Sequence, residues 1–284
     1  MVNASDLRVY VVNLRRRADR RARMTRVLPQ ALSATFTSDW EGPFDGRELS
    51  IETLSSAGYE LFSWQIASDN PWYARALTSG EAGCALSHLW CWRDAAGRSE
   101  PYTVVFEDDI EFAPDFISRL LAALGGLQDG QADLIYLGRC RRAPDEPPSP
   151  DRNLPMGLVV PGFSYAAIGY LVTRAGLAAL LAADLGRALL PVDEFLPTLY
   201  TSHPRADVRA RFRHRVPALA FEPPLVWDVP DAEADSDTRR SGAISAVGRG
   251  GEAERADGDG ACVEVRVAVV RHPGAGDEQG AVGK

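Results

Sequence analysis

Lysine is nearly missing from this chain. Its 284 residues hold 31 Lys and Arg side chains, and Lys284 is the one lysine among them. A cation set built of arginine reads as the codon bias of a GC-rich, bacterial genome, not as a functional signature. Long apolar runs are missing too. No stretch of about 20 apolar residues is present to cross a bilayer as a helix. The opening "MVNASDLRVYVVNL" lacks the charged start and cleavage site of a signal peptide. Cysteine is scarce: Cys84, Cys91, Cys140 and Cys262 form no C-x-x-C pair and no regular framework. That pattern points to a reducing cytoplasm. Cys84 and Cys91 can share a helix face as packing groups rather than ligands. A net charge of −8 argues against nonspecific binding to nucleic acid. No phosphate loop of the G-x-x-x-x-G-K type occurs, and internal repeats are absent.

What is present suits a soluble globular protein, with 45% hydrophobic and 25% charged residues. The length allows one large domain or two small ones. "LRVYVVNL" (7–14) reads as a first buried strand, followed by a helix from about Ala18. "ATFTSDW" suggests a short strand and "FDGRELS" a turn into a helix. "LTSGEAGCALSHLWCWRDAA" carries the clearest helix signal. Thr78 and Glu81 stand in capping-box spacing, and Ala82, Ala85, Leu86, Leu89 and Trp90 recur with helical period.

"TVVFEDD" reads as a buried strand, and a helix follows through "FISRLLAAL". "DLIYLG" and "YAAIGYLVT" are further strands, separated by the Pro-rich loop 141–157. Thr173 caps a helix over "RAGLAALLAADL". A short helix opens near Val192, and "ALAFEPPLVWDV" ends the domain as a strand and loop. From residue 239 onward the composition changes: ten of the 25 glycines lie in 239–284. This division predicts a domain over 1–238 and a Gly/Ala/Asp-rich, disordered tail over 239–284 in which only "VEVRVAVV" could form a strand. Strands alternating with helices predict an α/β sandwich around a mostly parallel sheet. Ligands bind beyond the carboxyl ends of strands in such sheets.

The acids Glu107, Asp108 and Asp109 fall at one such end. Strand alternation directs Glu107 and Asp109 to one side and Asp108 to the other. Two carboxylates about 4 Å apart repel by roughly 4 kcal/mol at an effective dielectric near 20. A divalent cation removes that conflict. One carboxylate pair is too few for a closed calcium cage and suits Mg²⁺ or Mn²⁺ shared with a substrate's phosphates. A solvated strand end capped by acids is the plainer alternative.

"VYVVNLRRRADRRARM", "LTSGEAGCALSHLWCWRDA", "VVFEDDIEF", "YAAIGYLVTRAGLAALL" and "PVDEFL" together resemble, in order, the motif blocks of glycosyltransferase family 25. "PWYARALTSGEAGC" and the late "SDT" (236–238) lean toward its procollagen galactosyltransferase branch. The resemblance covers residues 7–238. It implies a GT-A type, Rossmann-like nucleotide-binding fold, a UDP-sugar donor, usually UDP-galactose, a Mn²⁺-type metal (or Mg²⁺), and inversion at the anomeric carbon.

The same resemblance implies roles. Asp109 is placed as a direct metal ligand, with Glu107 or Asp108 reaching the ribose or a metal-bound water. Asp237 is a further metal or diphosphate contact. Asn13, Arg15, Arg16 and Arg20 fall on the nucleotide side, where Arg can meet phosphate bidentately. Asp45 with Gly46 would touch the nucleotide, although a plain turn explains them as well. Gly80 and Gly83 would let the donor approach the backbone. Glu81, Ser87 and His88 belong to the same block. Glu81 also reads as the capping acid, and a lone helical histidine is more often structural than a ligand. Asp193 or Glu194 would be the base that takes the acceptor's proton or an acid that binds the acceptor, Asp193 being preferred. Acids also suit the first turn of a helix for the sake of its dipole. Trp64, Trp72, Trp90 and Trp92 are core residues or a sugar-stacking face.

The expected protein is a cytoplasmic, metal-dependent hexosyltransferase acting on a glycan, lipid-linked or protein acceptor. Surface glycan or lipopolysaccharide synthesis would be its setting. It has no transmembrane segment, and peripheral membrane contact is compatible with it. The rivals are a non-catalytic binding or adhesion protein of the same fold and a nucleotidyltransferase.

Overall fold

The computed structural model describes residues 1–147, 153–213, 215–229, 236–238 and 240–244. The segment "VEVRVAVV" and the rest of the expected tail beyond residue 244 lie outside the described residues. Residues 240–244, on the tail side of the expected boundary, are described. They run beside the start of the long helix, where Ser79 N donates to Gly242 O at 3.0 Å and Ile244 N to Leu77 O at 3.0 Å.

Seven strands form the central sheet. They are β1 (Leu7–Val12), β2 (Ala34–Phe36), β3 (Tyr102–Glu107), β5 (Leu134–Arg141), β6 (Leu158–Val159), β7 (Ser164–Thr173) and β8 (Ala218–Phe221). Their order is β2-β1-β3-β7-β5-β8-β6. β2, β1, β3, β5 and β8 run one way, while β7 and β6 run against their neighbours. Two short strands, β4 (Ile110–Phe112) and β9 (Val226–Asp228), pair antiparallel in a separate ribbon. "ALAFEPPLVWDV" therefore holds two strands, of which the second leaves the main sheet.

The central strands are apolar throughout because both their faces are buried. Alternate residues serve opposite layers. Tyr10, Val105, Tyr136 and Tyr170 enter one core with helices α2 (Ile51–Ser56), α3 (Pro71–Ala74), α4 (Ser79–Ala96), α6 (Arg174–Ala182), α7 (Val192–Thr198) and α8 (Ala206–Arg211). Val9, Val11, Phe106 and Ile135 enter the other with α1 (Ala18–Val27) and α5 (Phe116–Gly126). The result is an α/β/α sandwich around a mostly parallel sheet, as expected.

Helix α4 starts where its capping box lies. Thr78 Oγ1 accepts from Glu81 N at 3.2 Å, and Glu81 Oε2 accepts from Thr78 N at 2.8 Å. Thr173 caps α6 by accepting from Gly176 N at 3.1 Å. The carboxyl ends of β1 and β3 lie side by side, Val12 opposite Glu107. That register positions everything described next.

Candidate active site

Asn13 follows β1 and Asp108 follows β3, so the two meet: Asn13 Nδ2 donates to Asp108 Oδ2 at 2.6 Å. Directly after Glu107 the chain bends, and β4 begins at Ile110. The strand alternation expected for the three acids therefore stops at Glu107. Asp108 does not turn away. Glu107, Asp108 and Asp109 all line one pocket, together with Asn13, Arg16, Arg20, Asp45 and Asp237. Arg20, in the first turn of α1, donates from a single Nη1 to Asp108 Oδ1 and Asp109 Oδ2, both at 2.8 Å.

Among the described residues these three acids outnumber the guanidinium that touches them, that of Arg20. Burial, then the charges of Asp109 and Asp108, push the Glu107 carboxyl up to about 8. Burial also raises Asp108, against the hydrogen bond from Asn13. The oxygen-rich donor set and its surplus negative charge fit a hard divalent cation. Glu107 and Asp109 are the side chains that would hold one.

Asp237 is held differently. Arg16 Nη1 donates to its Oδ1 at 2.7 Å and Arg17 Nη1 to its Oδ2 at 3.0 Å. Burial would raise this carboxyl, but the two arginines outweigh it and hold it below the usual range. Both its oxygens are thus engaged by guanidinium groups. Arg16 also donates from Nε to Asp45 Oδ2 at 2.6 Å, and Asp45 Oδ1 accepts from Arg47 N at 3.0 Å. Arg17 carries no sequence signal that marks it for this contact. It sits within the arginine run, where only the helix start decides which side chains face inward. Arg15 bonds outward, to Ser38 O, Trp40 O and Glu41, and does not line the pocket.

The glycines serve the chain's own packing. A Cβ on Gly83 would stand 2.2 Å from Phe44 O, and one on Gly46 would stand 2.6 Å from Gly80 N. The 44–46 loop crosses α4 at Gly83 and leaves no room for a side chain there. A Cβ on Gly80, which does line the pocket, would meet Ser241 Oγ at 2.5 Å. Ser241 Oγ accepts from Gly80 N at 2.9 Å.

Glu81 is occupied by its capping bonds and by an ion pair with Arg75. It does not line the pocket. Ser87 Oγ, at the pocket wall, donates to Gly83 O at 2.9 Å. His88 is wholly buried, which pushes it down to about 4. Its Nε2 lies 3.6 Å from Glu107 Oε1. Cys84, a pocket residue, holds its thiol 3.8 Å from the same oxygen.

Asp193 and Glu194 open α7 but live in different surroundings. Asp193 Oδ1 accepts from Ala167 N at 2.8 Å. Its other oxygen makes no hydrogen bond among the described residues. Burial, then the charge of Glu107, raises Asp193 to about 6. Glu194 is fully buried, accepting from Trp72 Nε1 at 2.6 Å and facing His203 Nε2 at 2.7 Å. Asp193 has an oxygen free to accept a proton, and Glu194 has none. Of the four tryptophans named above, Trp64 and Trp92 are core. Trp90 Nε1 donates to Tyr59 Oη at 2.9 Å, and Trp72 is committed to Glu194.

Residues 6–196 match the family model described as glycosyltransferase family 25 (LPS biosynthesis protein). The chain belongs to glycosyltransferase family 25. Among its family 25 relatives is procollagen galactosyltransferase 1-A of Xenopus laevis, 37% identical over 77% of this chain and 35% of that protein. Procollagen galactosyltransferase 2 of Homo sapiens is 34% identical over 77% of this chain and 34% of that protein. The inactive glycosyltransferase 25 family member 3 of Mus musculus is 37% identical over 82% of this chain and 39% of that protein. The chain thus spans about a third of the length of the curated relatives it matches.

Proposed function

We propose that this family 25 chain is a hexosyltransferase. It moves a sugar, galactose first, from a UDP-sugar to an acceptor hydroxyl with inversion. The observation that carries the reading is the pocket itself. Three carboxylates at the end of β3 line it together with Arg16 and Arg20, and Asp193, which does not line it, is near enough to Glu107 to feel its charge. The galactosyltransferase names of two relatives support galactose as the sugar.

Each side chain has a task in this reading. Glu107 and Asp109 would hold Mn²⁺ or Mg²⁺, which would supply positive charge to offset that growing on the departing diphosphate. Arg16 and Arg20 offer guanidinium donors to phosphoryl oxygens, exchanging the carboxylates they hold in this structure. Asn13 keeps Asp108 oriented. Asp193, fixed through one oxygen by Ala167 N, takes the acceptor's proton with the other. Glu194 anchors α7 through Trp72 and His203 and so fixes the position of Asp193. Inversion needs one in-line attack and one base, and Asp193 supplies that base.

The acceptor is a glycan, lipid-linked or protein hydroxyl. The family description favours a bacterial surface glycan, while the procollagen names of the relatives favour a protein. The scarcity of cysteine supports a cytoplasmic setting, but Cys140 is disulfide-bonded, which speaks for an oxidising one.

A non-catalytic member is the second reading. It is favoured by the relative that is called inactive, which is no less similar to this chain than the transferases are. Product analysis of the full chain with UDP-galactose and Mn²⁺ tests both. Free UDP supports a transferase. Pyrophosphate would indicate nucleotidyl transfer instead, and neither product, with no donor binding by calorimetry, would favour the non-catalytic reading.

A further inference from the structure

Behind the acid cluster stands a buried row of three side chains, Trp92, Tyr170 and His88, each 0% exposed. Trp92 Nε1, which can only donate, donates to Tyr170 Oη at 2.8 Å. Tyr170 Oη lies 2.9 Å from His88 Nδ1. The phenol's own proton cannot go to the indole, which has no acceptor. It goes to His88 Nδ1. A buried hydroxyl left without an acceptor would cost about 1–3 kcal/mol. A neutral imidazole that accepts at Nδ1 carries its proton on Nε2. That Nε2 is buried, makes no hydrogen bond, and faces Glu107 Oε1 at 3.6 Å.

We infer that Trp92 and Tyr170 lock His88 in its Nε2–H tautomer, making His88 a positioning residue that presents a proton donor to the Glu107 carboxylate. The inference rests on the reading of Glu107 as part of a cation site. A separation of 3.6 Å is just too long for a hydrogen bond. A small turn of the Glu107 side chain, 28% exposed on the pocket side, closes it. His88 and the Cys84 thiol then hold Oε1, and Oε2 is left for a cation.

The same atoms invite a different assignment. Ligand atoms of Cys84, His88 and Glu107 all lie within 4.8 Å of one another, and Cys84 and His88 are four apart on α4. A soft metal among them would need the lone pair of Nε2. The ring proton would move to Nδ1 and leave the Tyr170 hydroxyl proton stranded. The tautomer separates the two cases.

Ring-nitrogen NMR on the full chain with ¹⁵N-histidine, near neutral pH, reads the tautomer directly. His88, assigned by its loss in His88→Gln, should show a protonated Nε2 and an accepting Nδ1, and Tyr170→Phe should mix the tautomers. A protonated Nδ1 in the wild type overturns the inference. Titration with Mn²⁺ alone reads the positioning role. His88→Gln, which keeps a donor, should retain affinity, whereas His88→Leu should weaken it by about ten- to a hundredfold. Unchanged affinity in a folded His88→Leu overturns the inference. If that variant fails to fold, Tyr170→Phe replaces it, with about a tenfold loss expected and no loss overturning it. A thiolate-to-metal absorption band with Co²⁺ that vanishes in Cys84→Ser would establish the soft-metal site and overturn it too. No Mn²⁺ binding by the wild type would remove the cation-site reading, and the positioning role with it. A wrong tautomer removes this inference alone.

Discussion

The backbone N–H of Ala167 donates to Asp193 Oδ1 at 2.8 Å, tying the first turn of α7 to strand β7. One oxygen of Asp193 is thereby held, and the other makes no hydrogen bond among the described residues. Its sequence neighbour Glu194 has both oxygens engaged by Trp72 and His203. Adjacent acids on one turn should therefore give opposite phenotypes. Asp193→Asn should cut transfer by about 10²- to 10⁴-fold, the usual worth of a positioned base, with little change in melting temperature. Glu194→Ala should instead unfold early. It leaves the buried His203 and the half-buried Trp72 indole without their partner, a loss of about 3–5 kcal/mol. Thermal melts beside transfer rates check the pair.

Asp193 acts as a base only when ionised. Burial and Glu107 raise it to about 6, so activity should fall as pH drops through about 6. The ordinary carboxylate range would place that fall near 4. A pH–rate profile checks this, and a limb near 4 would contradict the assignment.

Glu107 is raised to about 8 by burial and by Asp109 and Asp108. A carboxyl raised in the folded state supports stability fully below its unfolded pKa, and that support is lost as pH rises through the folded value. The cation-free protein should accordingly lose stability between about pH 5 and 8, and Glu107→Gln should remove that component. Mn²⁺ should restore stability at the alkaline end, and its binding near pH 7 should release protons. Urea melts of both proteins across pH, with and without Mn²⁺, measure the three stability effects, and a pH indicator during Mn²⁺ titration measures the proton release.

Gly83 and Gly125 make a packing contrast. Gly83→Ala drives a methyl to 2.2 Å from Phe44 O, a backbone atom, and should cost about 1–3 kcal/mol or more. Gly125 lies in α5 with nothing within 4 Å of an added Cβ. Gly125→Ala should stabilise by about 0.5–1 kcal/mol. Melting temperatures that move together would contradict the close approach of the 44–46 loop to α4.

The parts of this architecture that were legible in the sequence are those written locally. The Thr78–Glu81 capping box, the Thr173 cap and the apolar strands each declare themselves within a few residues. The antiparallel direction of β7 and the β4–β9 ribbon do not, because three-residue strands carry no pattern and pairing is a long-range choice. The side-by-side placement of Asp108 and Asp109 was hidden by a bend that breaks strand alternation just after Glu107. The commitment of Glu194 to Trp72 was hidden by 122 residues of separation. Residue types marked where the site lies, and only the fold showed which carboxylates in it are already engaged.

The central claim is that the pocket at the ends of β1 and β3 binds and activates a UDP-sugar through Asp109 and a divalent cation. The most direct measurement is UDP release from UDP-galactose by the full chain, with and without Mn²⁺, repeated on Asp109→Ala. Release should depend on Mn²⁺ and be lost in the variant while its melting temperature holds. Release that is indifferent to Mn²⁺, or that survives intact in Asp109→Ala, would contradict it.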